Sequence, residues 1–318
     1  MQPTGRNGVF WYGLQIEEML AAPMTDISPP GHNRPFPYSK LEAFLARPGM
    51  DDAMRRSVLG AVAYYDAAPT LHRDVKDVSR FLLGVLALYL DASGGLTHRR
   101  LRELSGKSGI LSAGTATAVL LRLQMIGYVT RAEVANGHSR PYKPTPAMEA
   151  AFRGRMRIEF EALTHLTDET SEMLARFDEP AVFSMLMAMM GDQSMMAAGS
   201  PNPDIAAFNA LAVRSAGLLI LFDVMAKADR GGAFPPVGEV ELSVAAIARH
   251  YHVSRSHVLS VLRDIEAAGW AEKGPREGVW ILLPALGTDI RIFYGITYLG
   301  LIRATEMAFE RLAEKKAG

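Results

Sequence analysis

Cysteine is missing from this 318-residue chain, and so is any net charge, since 34 Lys and Arg are matched by 34 Asp and Glu. The first absence excludes disulfides, thiolate metal sites and a cysteine redox switch. The second leaves the distribution of charge, not its sum, to speak for or against a polyanionic partner. No stretch carries ~18 uncharged apolar residues, so no membrane span is expected. The N-terminal residues lack a basic segment followed by an apolar run, so no signal peptide is expected and the chain reads as a bacterial cytoplasmic protein. Catalytic signatures are missing too: there is no G-x-S-x-G, no HExxH and no G-x-G-x-x-G. Gly106-Lys107-Ser108 imitates the end of a phosphate loop, but Leu101 stands where that loop needs its first glycine, and the setting is helix to helix. His250, His252 and His257 lie close together without a cysteine or a suitably spaced carboxylate, and read as turn and surface residues. No enzyme, cofactor or metal is expected.

What is present is a patterned, half-apolar sequence, with 49% of residues hydrophobic and length enough for two cored domains. The clearest pattern runs from Leu242 to Leu283. Ser243 caps a helix with Ile247 and Ala248 inward, a turn spans His250 to Val253, and Ser254 caps a second helix carrying Val258, Val261, Leu262 and Ile265 at helical spacing. Gly269 stops that helix, Trp270 opens a strand, and a polar turn from Lys273 to Gly278 returns the chain into Val279–Leu283. Helix, turn, helix, hairpin is the order of a winged helix-turn-helix.

The same pattern occurs earlier. Thr97 caps a helix with Leu101 and Leu104, Gly106 to Leu111 reads as the turn, and Ser112 caps a helix with Val119, Leu120, Leu123 and Ile126 inward. Gly127 ends it and Tyr128-Val129 opens a strand; Asn136-Gly137 within the turn Ala135–His138 is a strong hairpin signal. With Gly127 set on Gly269, a shift of 142, Ser112 falls on Ser254, Val119 on Val261, Leu123 on Ile265 and Tyr128 on Trp270. Leu101 meets Ile247 only at a shift of 146, which places four extra residues in the first inter-helix turn. Each copy follows a very apolar helix, Phe81–Leu90 and Ala216–Met225. Core positions that match one by one make an internal repeat. The expected fold class is mainly α with small β-wings, tandem winged helix-turn-helix domains joined by long helices.

The remainder divides around the repeats. Residues 1–70 are an N-terminal arm and short helices: Pro29, Pro30, Pro35 and Pro37 break any helix in the arm, and Pro48-Gly49 separates two helices within 40–66. The arm either packs Phe10 and Trp11 on the body or reaches a partner or minor groove through Arg34. Residues 71–178 form the first winged-helix domain with its following helix, 179–210 a Met-rich helix and linker, and 211–318 the second domain with a C-terminal helix. Six methionines fall between Met185 and Met196, a pattern of adaptable core filling more often than of a binding groove. Asp289–Lys316 reads as one long helix with Ile292, Phe293, Ile296, Leu299, Ile302 and Phe309 on its apolar face, available to pack the other copy or a second chain.

Taken together, these residues resemble the winged-helix bacterial transcription regulators, most nearly the MarR-like family, over roughly residues 72–166 and 211–312. The family carries one such unit per chain and dimerises through terminal helices. The resemblance therefore implies a DNA-binding transcription regulator that is a single-chain pseudo-dimer, with double-stranded DNA as partner, a homodimer through the C-terminal helix as an option, and a small-molecule effector left open. A tandem winged-helix protein-interaction scaffold of the chromosome-segregation kind, or a replication-initiator-like DNA binder, are the alternatives.

Charge separates the copies. Between Leu96 and Thr145 eight Lys/Arg face two Glu, a net of +6; between Ser243 and Leu283 five face four acids, a net of +1. The candidate DNA-binding residues of the first copy are Arg99, Arg100, Lys107, Arg122 and Arg131, with Ser112, Thr115 and Thr117 on the second helix and His138, Arg140 and Lys143 on the wing. In the second copy they are Arg255, Ser256, His257 and Ser260 on the helix, and Lys273 and Arg276 on the wing. The N-terminal half of the second helix is where such units read base edges, and Arg255 has the donor geometry for a guanine.

Overall fold

The computed structural model describes residues 38–67, 75, 77–108, 112–132, 141–196 and 206–317. The N-terminal arm, including Phe10, Trp11 and Arg34, lies outside them, as do the Gly199–Pro203 linker and the first hairpin's Asn136-Gly137 turn. The described residues are mainly helical with two small antiparallel sheets.

The described residues begin with two helices, α1 (Tyr38–Leu45) and α2 (Met50–Ala67), separated at Pro48-Gly49 as the sequence requires. The first repeat follows: α3 (Val78–Ala92), α4 (His98–Ser108), α5 (Ala113–Met125), the hairpin β1 (Val129–Arg131) and β2 (Tyr142–Pro144), then α6 (Pro146–Leu163) and α7 (Ser171–Ala175). The Met-rich α8 (Pro180–Met196) leads to α9 (Ala206–Ala212). The second repeat is α10 (Gly217–Ala228), β3 (Gly238–Glu241), α11 (Val244–His250), α12 (Arg255–Ala267), β4 (Ala271–Lys273), β5 (Val279–Leu282) and the 34-residue α13 (Pro284–Ala317).

The repeats match bond for bond. Ser112 accepts from the Thr115 amide and Ser254 from the His257 amide, each satisfying one of a helix's unpaired first-turn donors. Both helices close with the same turn: Gly127 and Gly269 donate to Gln124 and Glu266, while Tyr128 and Trp270 donate to Leu123 and Ile265. Gly127 and Gly269 sit at φ +77° and +71°, the left-handed region where a Cβ is disfavoured. One detail of the sequence reading changes. The four extra residues of the first copy lengthen its first helix, 11 residues in α4 against 7 in α11, and the Gly106-Lys107-Ser108 stretch assigned to a turn is helical. Strand β3 lies before the stretch whose pattern the sequence declares; its Gly-Glu-Val-Glu residues pair with β5, giving the order β3-β5-β4. In the first copy that place is held by a single bridge between Leu96 and Tyr142.

The halves interlock through exchanged helices. Helix α2 packs on α6 of its own half and on α10 of the other; α8 packs on α13 of its own half and on α3 of the other. These two sets of contacts are related as the halves of a two-fold dimer would be. The Met-rich helix is therefore a core element, with Met187, Met189 and Met190 buried. Helix α13 is enclosed as well. Tyr294, Tyr298, Ile296, Leu301 and Ala304 are all 0–1% exposed, so the helix buries nearly its whole middle rather than one stripe. The apolar face that the sequence offered to the other copy or to a second chain packs on the chain's own α1, α6, α8 and α9. Aromatic residues fill the core of the second half: Phe208 packs on Trp270 at 4.4 Å and on Phe293 at 4.9 Å. Each such side chain contributes about 1.5–3 kcal/mol by burial. Between α2, α6 and α13 runs a buried polar chain in which Ser57 donates to Glu159 (2.5 Å) and lies 2.7 Å from the Tyr298 hydroxyl, while Arg155 pairs with Glu159 (2.7 Å). Burial and the nearby Glu159 push the Tyr298 phenol well above its usual range.

Candidate nucleic-acid interface

Each repeat presents the second helix of its pair with one face buried and one open. On α12 the buried stripe is Val258, Val261, Leu262 and Ile265, and the open side carries Arg255, Ser256, Leu259 and Arg263. On α5 Ala116, Val119, Leu120 and Leu123 are buried, while Thr115, Ala118, Leu121, Arg122 and Met125 are exposed.

The structure sorts the sequence candidates into two groups. On the open surface of the first repeat stand Arg99, paired weakly with Glu103 at 3.9 Å, together with Thr115, Arg122 and Lys143. Ser112 is exposed but spends its oxygen on the cap and on the Thr115 hydroxyl at 2.9 Å. Arg131 is exposed on β1 with its guanidinium 4.6 Å from the Tyr142 ring, a stacking that holds the fork outward. Lys143, on the partner strand, acts against the burial that pushes the Asp91 carboxyl up. In the second repeat Arg255 and Ser256 are exposed; Ser256 lies 2.9 Å from the Ser254 hydroxyl, and Arg255 makes no ion pair among the described residues. Lys273 and Arg276 reach outward with side chains 69% and 72% exposed, near Glu266 at 3.8 Å and Glu239 at 3.9 Å.

Four candidates turn inward to structural work. Arg100 donates to the carbonyls of Gly95 and Ser93, closing the end of α3. Thr117 lies 2.9 Å from His98 Nε2, joining α5 to α4. His257 sets its Nε2 2.7 Å from the Ser215 carbonyl, and Ser260 accepts from Arg214 at 2.7 Å. Their bonds are to groups that the helix periodicity alone could not locate. His138 and Arg140 lie outside the described residues, as does the side chain of Lys107.

Several surface features escaped the sequence reading. Arg214 bridges to Asp264 (2.5 Å) and Ser260, latching α12 to the turn before α10 across some fifty residues. Leu121, Met125 and Leu259 are 47%, 76% and 41% exposed on the presented helices. The repeat itself held the signal: Leu121 falls on Arg263 at the shift of 142, and an arginine at that register marks a solvent face. The three neighbouring histidines diverge. His250 faces Asp66 at 3.4 Å and stacks near Tyr65, His257 binds Ser215, and His252 is exposed at φ +50°. Among the described residues no group of three or more His, Cys, Asp or Glu is arranged to hold a metal ion. No single described helix is long and apolar enough to cross a membrane.

No family model matches the chain, and neither a curated protein nor a solved structure matches it.

Proposed function

We propose that the chain is a DNA-binding regulator in which two winged helix-turn-helix units of one polypeptide act as a pseudo-dimer. The observation that carries this reading is the duplicated strand-or-bridge, helix, helix and hairpin arrangement, with each second helix presented to solvent and the halves interlocked by exchanged helices. A protein with internal two-fold character matches a duplex site built of two half-sites, and unequal reading helices match unequal half-sites. In the first copy Arg99, Arg122, Arg131 and Lys143 supply phosphate contacts, which position the protein without selecting sequence. In the second, Arg255 at the first turn of α12 is the base-reading residue, aided by Ser256, with Lys273 and Arg276 on the wing. Ser112 and Thr115 serve as small hydroxyl contacts at the start of α5.

The experiment is fluorescence-anisotropy binding to random duplex DNA from about 50 to 200 mM salt, the range in which phosphate contacts reveal themselves. A steep loss of affinity supports the reading; indifference to salt, or no binding at the low end, overturns it.

One observation favours the scaffold reading: Leu121 and Met125, four residues apart on α5, offer an apolar strip rather than donors. Such a strip suits a protein groove, although leucine and methionine also fit thymine methyl groups. Replacing both by serine separates the two, because a scaffold loses its partner while the salt-dependent DNA affinity stays.

A further inference from the structure

An apolar cleft lies at the seam of the two halves rather than at either reading helix, with a volume of about 140 Å³. One wall comes from α2, α3 and α6 and the other from α9, α10 and α13. The rings of Phe81, Phe222, Phe293 and Tyr294 line it, and Leu218 and Leu219, both partly exposed, stand at its edge. A dry cavity of 150 Å³ with comparable walls accepts a benzene ring.

Three charged side chains also reach this space, and their pairing decides what it accepts. Arg155 is answered by Glu159 at 2.7 Å, and Glu159 also accepts from Ser57. Asp77 caps α3 through the Arg80 amide and pairs with the Arg80 guanidinium at 3.4 Å. No uncompensated charge is left to meet a ligand ion, which would lose its hydration without gaining a counter-charge. Arg155, Glu159 and Asp77 still bring guanidinium and carboxylate groups into the lining of an otherwise largely apolar, aromatic slot.

We infer that this seam is a binding site for a neutral single-ring aromatic molecule carrying one hydrogen-bonding group. Because its walls belong to both halves, an occupant ties their relative placement together, and it does so whether or not the chain binds DNA. Any molecule that binds only the folded state raises the melting temperature, and the rise grows with the logarithm of its concentration above Kd.

The test uses three probes of one size, benzyl alcohol, benzylamine and benzoate, with the full-length chain, read by saturation-transfer NMR and by thermal shift. Benzyl alcohol should bind in the millimolar range, and each ion at least about tenfold more weakly, the smallest gap expected for an unpaired charge leaving water. Leu219→Trp, which fills the edge of the slot, should abolish the signal while circular dichroism stays native. Glu159→Gln keeps an acceptor for Ser57 but removes the partner of Arg155, and should reverse the order so that benzoate binds best. Equal binding of all three probes, binding that survives Leu219→Trp, or an unchanged order in the folded Glu159→Gln variant would each overturn the assignment.

Discussion

Two glycine-to-alanine changes within the first repeat should move stability in opposite directions. At Gly84 in α3 a Cβ would lie 2.1 Å from Cζ and 2.8 Å from Cε1 of Phe152 on α6. Carbon atoms rest about 3.5–4 Å apart, so one partner must retreat by more than an ångström. Phe152 has no room for this: it is fully buried and stacked on Phe81 with ring centres 5.1 Å apart. Overpacking of this kind costs ~1–3 kcal/mol. Alanine returns ~1 kcal/mol of helix propensity, leaving Gly84→Ala destabilising by up to about 2 kcal/mol. At Gly106 in α4 nothing lies within 4 Å of the added methyl, so the same substitution should stabilise by up to about 1 kcal/mol. Urea denaturation followed by circular dichroism measures both, and Gly84→Ala combined with Phe152→Leu should recover part of the loss because the ring edge is gone. If Gly84→Ala is as stabilising as Gly106→Ala, α3 and α6 do not meet where this packing puts them.

The other predictions concern the presented helices and one half-buried acid. Arg122→Ala should weaken binding alike on all duplexes and reduce the salt slope by about one, whereas Arg255→Ala should flatten sequence preference more than it lowers affinity; anisotropy against matched and scrambled duplexes reads both. Ser112→Ala and Ser254→Ala should each cost ~1 kcal/mol in denaturant midpoints, since both caps make the same bond. His257→Ala should lower the melting temperature more than DNA affinity, because its ring holds the Ser215 carbonyl. Burial pushes the Asp192 carboxyl up, against the opposing Tyr89 hydrogen bond and Arg311. A raised carboxyl favours the folded state below its unfolded pKa and loses that advantage as pH rises through its folded value. Asp192→Asn should therefore be more stable than the parent at pH 7, with the gap closing as pH falls through the ordinary aspartate range, followed by thermal melts from pH 3 to 7.

Periodicity and capping were legible because they are local. Val258, Val261, Leu262 and Ile265 are buried at the spacing that predicted them, and the capping serines lie where their helices start. The repeat added reach, since a residue fixed in one copy constrains its counterpart. What stayed hidden was long-range. Nothing near Arg214 in sequence points to Asp264, and nothing in Ser260 or His257 says that their polar atoms are already engaged. The exchange of α2 and α8 was equally invisible, because an amphipathic helix declares its apolar stripe but not which half will cover it. On helix α13 the apolar residues Phe293, Ile296 and Ile302 are buried as their spacing suggests, while the burial of Thr297 and Thr305 depends on their hydroxyls turning back to the Phe293 and Leu301 carbonyls, which spacing does not reveal.

Whether two heads of one chain read one duplex is decided by hydroxyl-radical footprinting on a duplex selected from a random pool. One chain per duplex should protect two backbone patches on the same side of the DNA, with Arg122→Ala weakening one patch and Arg255→Ala the other. A single protected patch, or a selection that retains no duplex at all, would contradict the account.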